Sequence, residues 1–203
     1  MIRKLAIYVA LLPITLLCAC SILPAPSPVN VYQLPPTSFK EVTTAPTKSL
    51  SLRINRPNSN IQINSQRIIV IPEPNLVSSY EGVRWSDSAP TMVRNRVINA
   101  FITDGRIKSI SSDDKTLYAD YEIDSYLQSF QTEYIGGVPK VVIRLDAQLV
   151  NVTTMKIIAN RRFEIIQDTS GVKVPQIVIA FGEASNKITG QLIDWTIANV
   201  ESK

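Results

Sequence analysis

Histidine is missing from all 203 residues, and cysteine, glycine and charge are all scarce. Without an imidazole the chain has no Ser-His-Asp or Cys-His catalytic unit, no histidine metal ligand and no histidine pH switch. The two cysteines, Cys18 and Cys20, both fall within the first twenty residues, so no disulfide framework can support the rest. Only 7 glycines are present, none in a phosphate-cradling loop, and no serine sits in a nucleophile elbow. Charged residues make up 19% of the chain, with 21 basic against 17 acidic and a formal net charge of +4. What is abundant is apolar surface, at 45%, enough for one domain with its own core.

Residues 1–20 carry Arg3 and Lys4, then an uncharged apolar run from Leu5 to Leu17, which is the pattern of a secretory signal peptide. The run falls short of the roughly 20 apolar residues of a spanning helix, and the prolines at 24, 26 and 28 prevent its continuation, with an uncleaved anchor as the alternative. Leu17-Cys18-Ala19-Cys20 resembles a bacterial lipobox, with Cys20 as the acylated residue and residues 1–19 removed. Two buried thiols or a disulfide are the alternatives. Removal of Arg3 and Lys4 leaves 19 basic against 17 acidic residues, which takes away the charge argument for nucleic acid. By resemblance to such lipoproteins, Ser21 in place of Asp after the cysteine implies the periplasmic face of the outer membrane. A covalent lipid on Cys20 is then the one prosthetic group expected, with no cofactor and no metal.

Residues 20–47 are rich in Pro, Ser, Thr and Ala and read as a tether, within which Val31 to Leu34 forms a short extended piece able to dock as an edge strand. Residues 48–203 have globular patterning. Leu50, Leu52 and Ile54 alternate with polar residues, and Arg67 to Ile71 gives a second strand ended by Pro72 and Pro74. A loop with Tyr80, Arg84 and Trp85 follows. A helix is then capped by Asp87 or Ser88, carries Pro90 in its first turn and an apolar face of Val93, Val97, Ile98, Phe101 and Ile102, and stops at Gly105.

Alternation from Leu117 to Leu127, from Val141 to Leu149 and from Ala159 to Ile165, with turn residues between, predicts a three-stranded antiparallel meander. From about Pro175, Ile177, Phe181, Ala184, Ile188, Leu192, Trp195 and Val200 recur at helical spacing. Gly182 and Gly190 inside this helix point to a close helix-to-sheet approach or a kink. The expected fold is α+β, an antiparallel sheet of about five strands with two helices packed on one face.

In order and spacing, Tyr32-Gln33-Leu34, Ile68, Tyr80, Arg84-Trp85, Ala89-Pro90 and the closing Phe181…Trp195 helix resemble the ABC-type transport auxiliary lipoprotein family. These are the PqiC-like proteins encoded beside MCE-domain transport systems. The resemblance implies a non-enzymatic outer-membrane partner of an MCE-domain protein, in an ABC-linked system moving lipids or other hydrophobic molecules across the periplasm. Its partner surface would draw on Tyr32, Leu34, Tyr80, Arg84 and Trp85, with Arg84-Trp85 alternatively an Arg stacked on the indole that pins the loop to the core, and a homo-oligomer stays open. Two other functions are weighed: a lipoprotein plug or chaperone for outer-membrane barrel or lipid assembly, and a periplasmic hydrolase using Asp120, Glu122 and Asp124. Those three carboxylates share one strand face, where they could serve acid-base chemistry, bind calcium or simply face solvent. Arg94, Arg96, Arg161 and Arg162 read either as a solvated charged face or as contacts for anionic headgroups.

Overall fold

The structure, a computed structural model, describes residues 28–37, 39–40 and 46–201. Cys20 and the signal peptide lie outside the described residues. Ten strands are described: β1 (Asn30–Tyr32), β2 (Lys48–Ile54), β3 (Asn58–Ser59), β4 (Ile69–Glu73), β5 (Leu76–Ser79), β6 (Val83–Trp85), β7 (Ile107–Ser112), β8 (Tyr121–Ile135), β9 (Val138–Asn151) and β10 (Lys156–Asp168). Helix α1 (Ala89–Asp104) lies between β6 and β7, and α2 (Val174–Asn199) follows β10.

The predicted meander is there and is longer than the alternation suggested. Gly136 and Gly137 both take positive φ, 65° and 80°, which a two-residue turn closing Ile135 against Val138 requires. Residue pairs such as Phe130↔Ile143 and Phe163↔Leu145 hold β8, β9 and β10 in antiparallel register. Along β9 the inward residues Val141, Ile143, Leu145, Ala147 and Leu149 are all buried, as a strand with one core face demands.

The other side of β8 departs from the expected antiparallel sheet. Three segments line up along it in succession, all parallel: β2 at Leu52↔Tyr121, β3 at Asn58↔Tyr126 and β4 at Ile69↔Gln131. Strand β7 then adds outside β2, also parallel, giving the path β10-β9-β8-β2-β7 in an eight-stranded mixed sheet. Two-residue alternation is the same for either strand direction, whereas parallel neighbours need a crossover. Here α1 lies in the connection between β2 and β7. Strand β7, with its polar sequence Ile-Lys-Ser-Ile-Ser-Ser, had no apolar alternation to reveal it.

Helix α1 has Ser88 at its N-cap, Pro90 in its first turn and Gly105 in the left-handed conformation (φ 76°) at its end, where the Gly105 N–H donates to the Phe101 carbonyl. Val93, Val97 and Phe101 enter the core, whereas Ile102, placed by sequence on the apolar face, is 61% exposed. Helix α2 lies against β9 and β10 and meets α1. Its predicted apolar stripe is buried from Ile177 to Val200.

Candidate partner interface

The first strand of the described chain does not belong to the main sheet. Strand β1 pairs in parallel with β6, placing Tyr32 beside Trp85, and the seam is closed by Asn30 N–H donating to the Gly82 carbonyl (2.9 Å) and Ser86 N–H donating to the Tyr32 carbonyl (2.7 Å). Of the five residues expected at a partner surface, Trp85 is fully buried, with ring centroids 5.2 Å from Phe181 and 6.0 Å from Phe130 in edge-on contact. Tyr32, Leu34 and Tyr80 are half-buried and pack on the same core. Arg84 stays at the rim, where Nη1 donates to Gln66 Oε1 (2.7 Å) and to the Trp85 carbonyl (3.3 Å). The structure therefore brings the five together as a buttressed seam, with Arg84 as its charged rim.

Beyond β1 the chain runs as a strap, Gln33 to Thr37, across the junction of α1 and α2. Glycine 182 explains its path: a Cβ there would stand 2.8 Å from Pro35 Cγ, so only glycine admits the proline ring. Gly190 faces Phe39 at an ordinary 3.6 Å. Gly182 admits the N-terminal segment, which corrects for that position the expectation of a helix-to-sheet approach or a kink, whereas at Gly190 a Cβ would meet Phe39 without a clash.

Arg96 of α1 secures the same strap. Its Nη2 donates to the Pro35 carbonyl and its Nη1 to Asn186 Oδ1 (2.5 Å), while Nε is buried with no partner among the described residues. Burial pulls its pKa below the usual guanidinium value. At 6% exposure Arg96 is no part of a solvated face. Arg94 is buried too and bridges Asp113 (2.8 Å) and Asp114 (2.7 Å). Between strap and helix lies an open cleft of about 600 Å³, lined by strap residues 33–37, by Ser86 and Asp87, and by Met92, Asn95, Arg96 and Asn99. Positions 92, 95, 96 and 99 follow the three- and four-residue spacing of one helix face. That spacing was present in the sequence, but its amides carried no apolar signal.

The acidic strand face is engaged with β2. Asp120 Oδ2 accepts from the Ser51 backbone N–H and hydroxyl, both at 2.8 Å; Glu122 takes the Arg53 guanidinium; Asp124 Oδ1 accepts from Asn55 Nδ2 at 2.5 Å. The parallel register Arg53↔Glu122 generates all three contacts, because each pair is offset by the same number of residues. Among the described residues, no group of three or more acidic or thiol side chains could hold a metal ion.

Residues 32–192 match the family model described as the ABC-type transport auxiliary lipoprotein component. The crystal structure of a Xanthomonas campestris protein of family DUF330 superposes with a TM-score of 0.78 at 26% identity, covering 84% of this chain and 96% of that one. A hypothetical protein of Chlamydia trachomatis shares the fold alone, with a TM-score of 0.53 at 4% identity over 74% of this chain and 97% of that one. An uncharacterized protein of Bradyrhizobium diazoefficiens is 28% identical over 156 residues, 77% of this chain. The match covers 42% of that relative, so this chain spans about two fifths of its length.

Proposed function

Because the chain belongs to the ABC-type transport auxiliary lipoprotein family, we propose that it is the lipid-anchored, non-catalytic outer-membrane partner of an MCE-domain protein. The system it serves moves lipids or other hydrophobic molecules across the periplasm. Acylated Cys20 supplies the anchor, and the strap with its cleft supplies the contact. The observation that carries this reading is where the family match begins: at Tyr32, inside β1, so that it takes in the whole strap and every residue lining the cleft. Within that surface Tyr32, Leu34, Tyr80 and Trp85 hold the seam rigid from below, and Arg84 and the amides of Gln33, Asn95 and Asn99 meet the partner.

Amide side chains both donate and accept, which suits a partner's exposed backbone or loop better than a hydrocarbon cargo. The test is co-purification with MCE-domain proteins encoded beside this chain. Asn99→Lys, a change at an exposed position of α1 to a residue of higher helix propensity, is expected to lower the yield of complex at least tenfold without lowering the thermal unfolding midpoint. Retention of the complex by Asn99→Lys and by Arg84→Glu would remove the cleft from the interface.

A further inference from the structure

Two β-turns lie side by side at one end of the molecule. Strands β4 and β8 run in parallel, Ile71 level with Glu133, so the turn after Glu73 sits next to the Gly136-Gly137 turn. Strand β10 ends at the same place, with Asp168 opposite Lys140 and the Thr169 hydroxyl donating to the Pro139 carbonyl. This end presents Leu76, Val77, Tyr134, Ile135, Val138 and Val172, each between 39% and 63% exposed. Its charges are of both signs, with Lys140 bridged to Asp168 at 2.9 Å and Glu73 and Lys173 nearby, so its character is apolar more than electrostatic.

The direction of the chain says what such an end would face. Tyr80 bonds level with Ile68 and Trp85 level with Gln66, so the backbone from 80 to 85 leads away from the two turns. Strand β1 follows β6 in parallel, and the chain before Asn30 therefore enters from the side of the turns. Ile68 stands six residues from Pro74, about 20 Å along a strand at 3.3 Å per residue. Nine residues lie between Cys20 and Asn30, ten residue steps, with prolines at 24, 26 and 28. At ~3.1 Å per residue, ten steps of Pro-rich chain reach about 31 Å, enough to pass the turns with a few residues to spare. The opposite end, with Leu117, Met155 and Ile157 exposed, lies away from the side on which the chain enters at Asn30.

We propose that the paired turns, β4–β5 and β8–β9, form a membrane-seating face that rests its apolar side chains in the headgroup boundary of the lipid surface holding Cys20. This rests on the acylation of Cys20 proposed above. Seated so, the molecule turns its strap and cleft away from the lipid, toward the periplasm.

In the acylated mature chain Cys18 has left with the signal peptide and the Cys20 sulfur is occupied. Ile135→Cys, Leu76→Cys and Met155→Cys each then provide a single free thiol. Each is labelled with an environment-sensitive nitrobenzoxadiazole dye in vesicles of phosphatidylethanolamine and phosphatidylglycerol, and quenched by nitroxide carried on the lipid chains. Quenching at 135 and 76 at least threefold greater than at 155 is the expected result. Quenching confined to 155, equal at all three positions or absent from all three overturns the orientation. The intact mass of the same preparation reads acylation separately: a mass without acyl chains overturns the anchor and the orientation with it, whereas an acylated chain with unquenched 135 and 76 overturns the orientation alone.

Discussion

Trp85 and Gly182 are single residues on which the β1–β6 seam and the strap depend without either reaching solvent. The Trp85 indole closes a cluster with Phe130 and Phe181, whose rings are 4.8 Å apart, beneath the β1–β6 seam. Trp85→Ala would lose about 3–5 kcal/mol of stability from the transfer and cavity costs, read by denaturant unfolding. Gly182 sets two effects against each other. Alanine in a helix interior gains up to ~1 kcal/mol over glycine, but a Cβ 2.8 Å from Pro35 is overpacking that costs about 1–3 kcal/mol. The clash wins, so Gly182→Ala is expected to destabilise the chain and to raise proteolysis of the strap. In a Pro35→Gly background the same change becomes neutral or stabilising; equal effects in both backgrounds would show that the strap does not sit on Gly182. A glycine inside a strongly apolar helix could be read from sequence as a sign of close approach. That the approaching group is Pro35 could not, because nothing local links a proline in the tether to the last helix.

Elements were legible to the degree that their own side chains declared them. Helix α1 announces itself through Ser88, Pro90 and Gly105, and β8 to β10 through alternation and the Gly136-Gly137 turn. Orientation was not legible, and neither was β7, whose polar strand draws its place from backbone pairing with β2. The carboxylates of Asp120, Glu122 and Asp124, at the start of β8, show the same division. Their shared face follows from alternation, while their partners Ser51, Arg53 and Asn55 follow from a parallel register that only the fold supplies. Asp120→Ala would leave the Ser51 N–H without the carboxylate that it donates to, and a loss of about 1–3 kcal/mol by denaturant unfolding is expected. A change in complex formation with no change in stability would contradict this structural role for Asp120.

For the whole molecule, the missing histidine and the ion pairs together set the pH response. The Arg162 guanidinium outweighs burial and holds the Asp146 carboxyl below its ordinary value, and Arg144 does the same for Glu164. Burial pushes Asp113 upward, but the Arg56 backbone N–H and the Arg94 guanidinium overcome it and hold that carboxyl low as well. A carboxyl with a depressed folded pKa contributes stability above its unfolded value, near 4, and that contribution disappears as pH falls through the folded value. With no imidazole to titrate, the thermal midpoint should be flat from pH 6 to 8 and should fall below about pH 4; a transition near pH 6.5 would contradict this.

At the same scale, Cys20→Ala is expected to abolish acyl labelling and release the domain from membranes, and persistence of both would refute the anchor. The central claim, that the strap and cleft meet an MCE-domain protein, is tested most directly by a photo-crosslinking amino acid placed at Asn99 in the native envelope. The account predicts a covalent adduct whose mass spectrum contains MCE-domain peptides and which is absent when the crosslinker replaces exposed Met155. An adduct with an outer-membrane β-barrel protein, or equal MCE adducts from both positions, would contradict it.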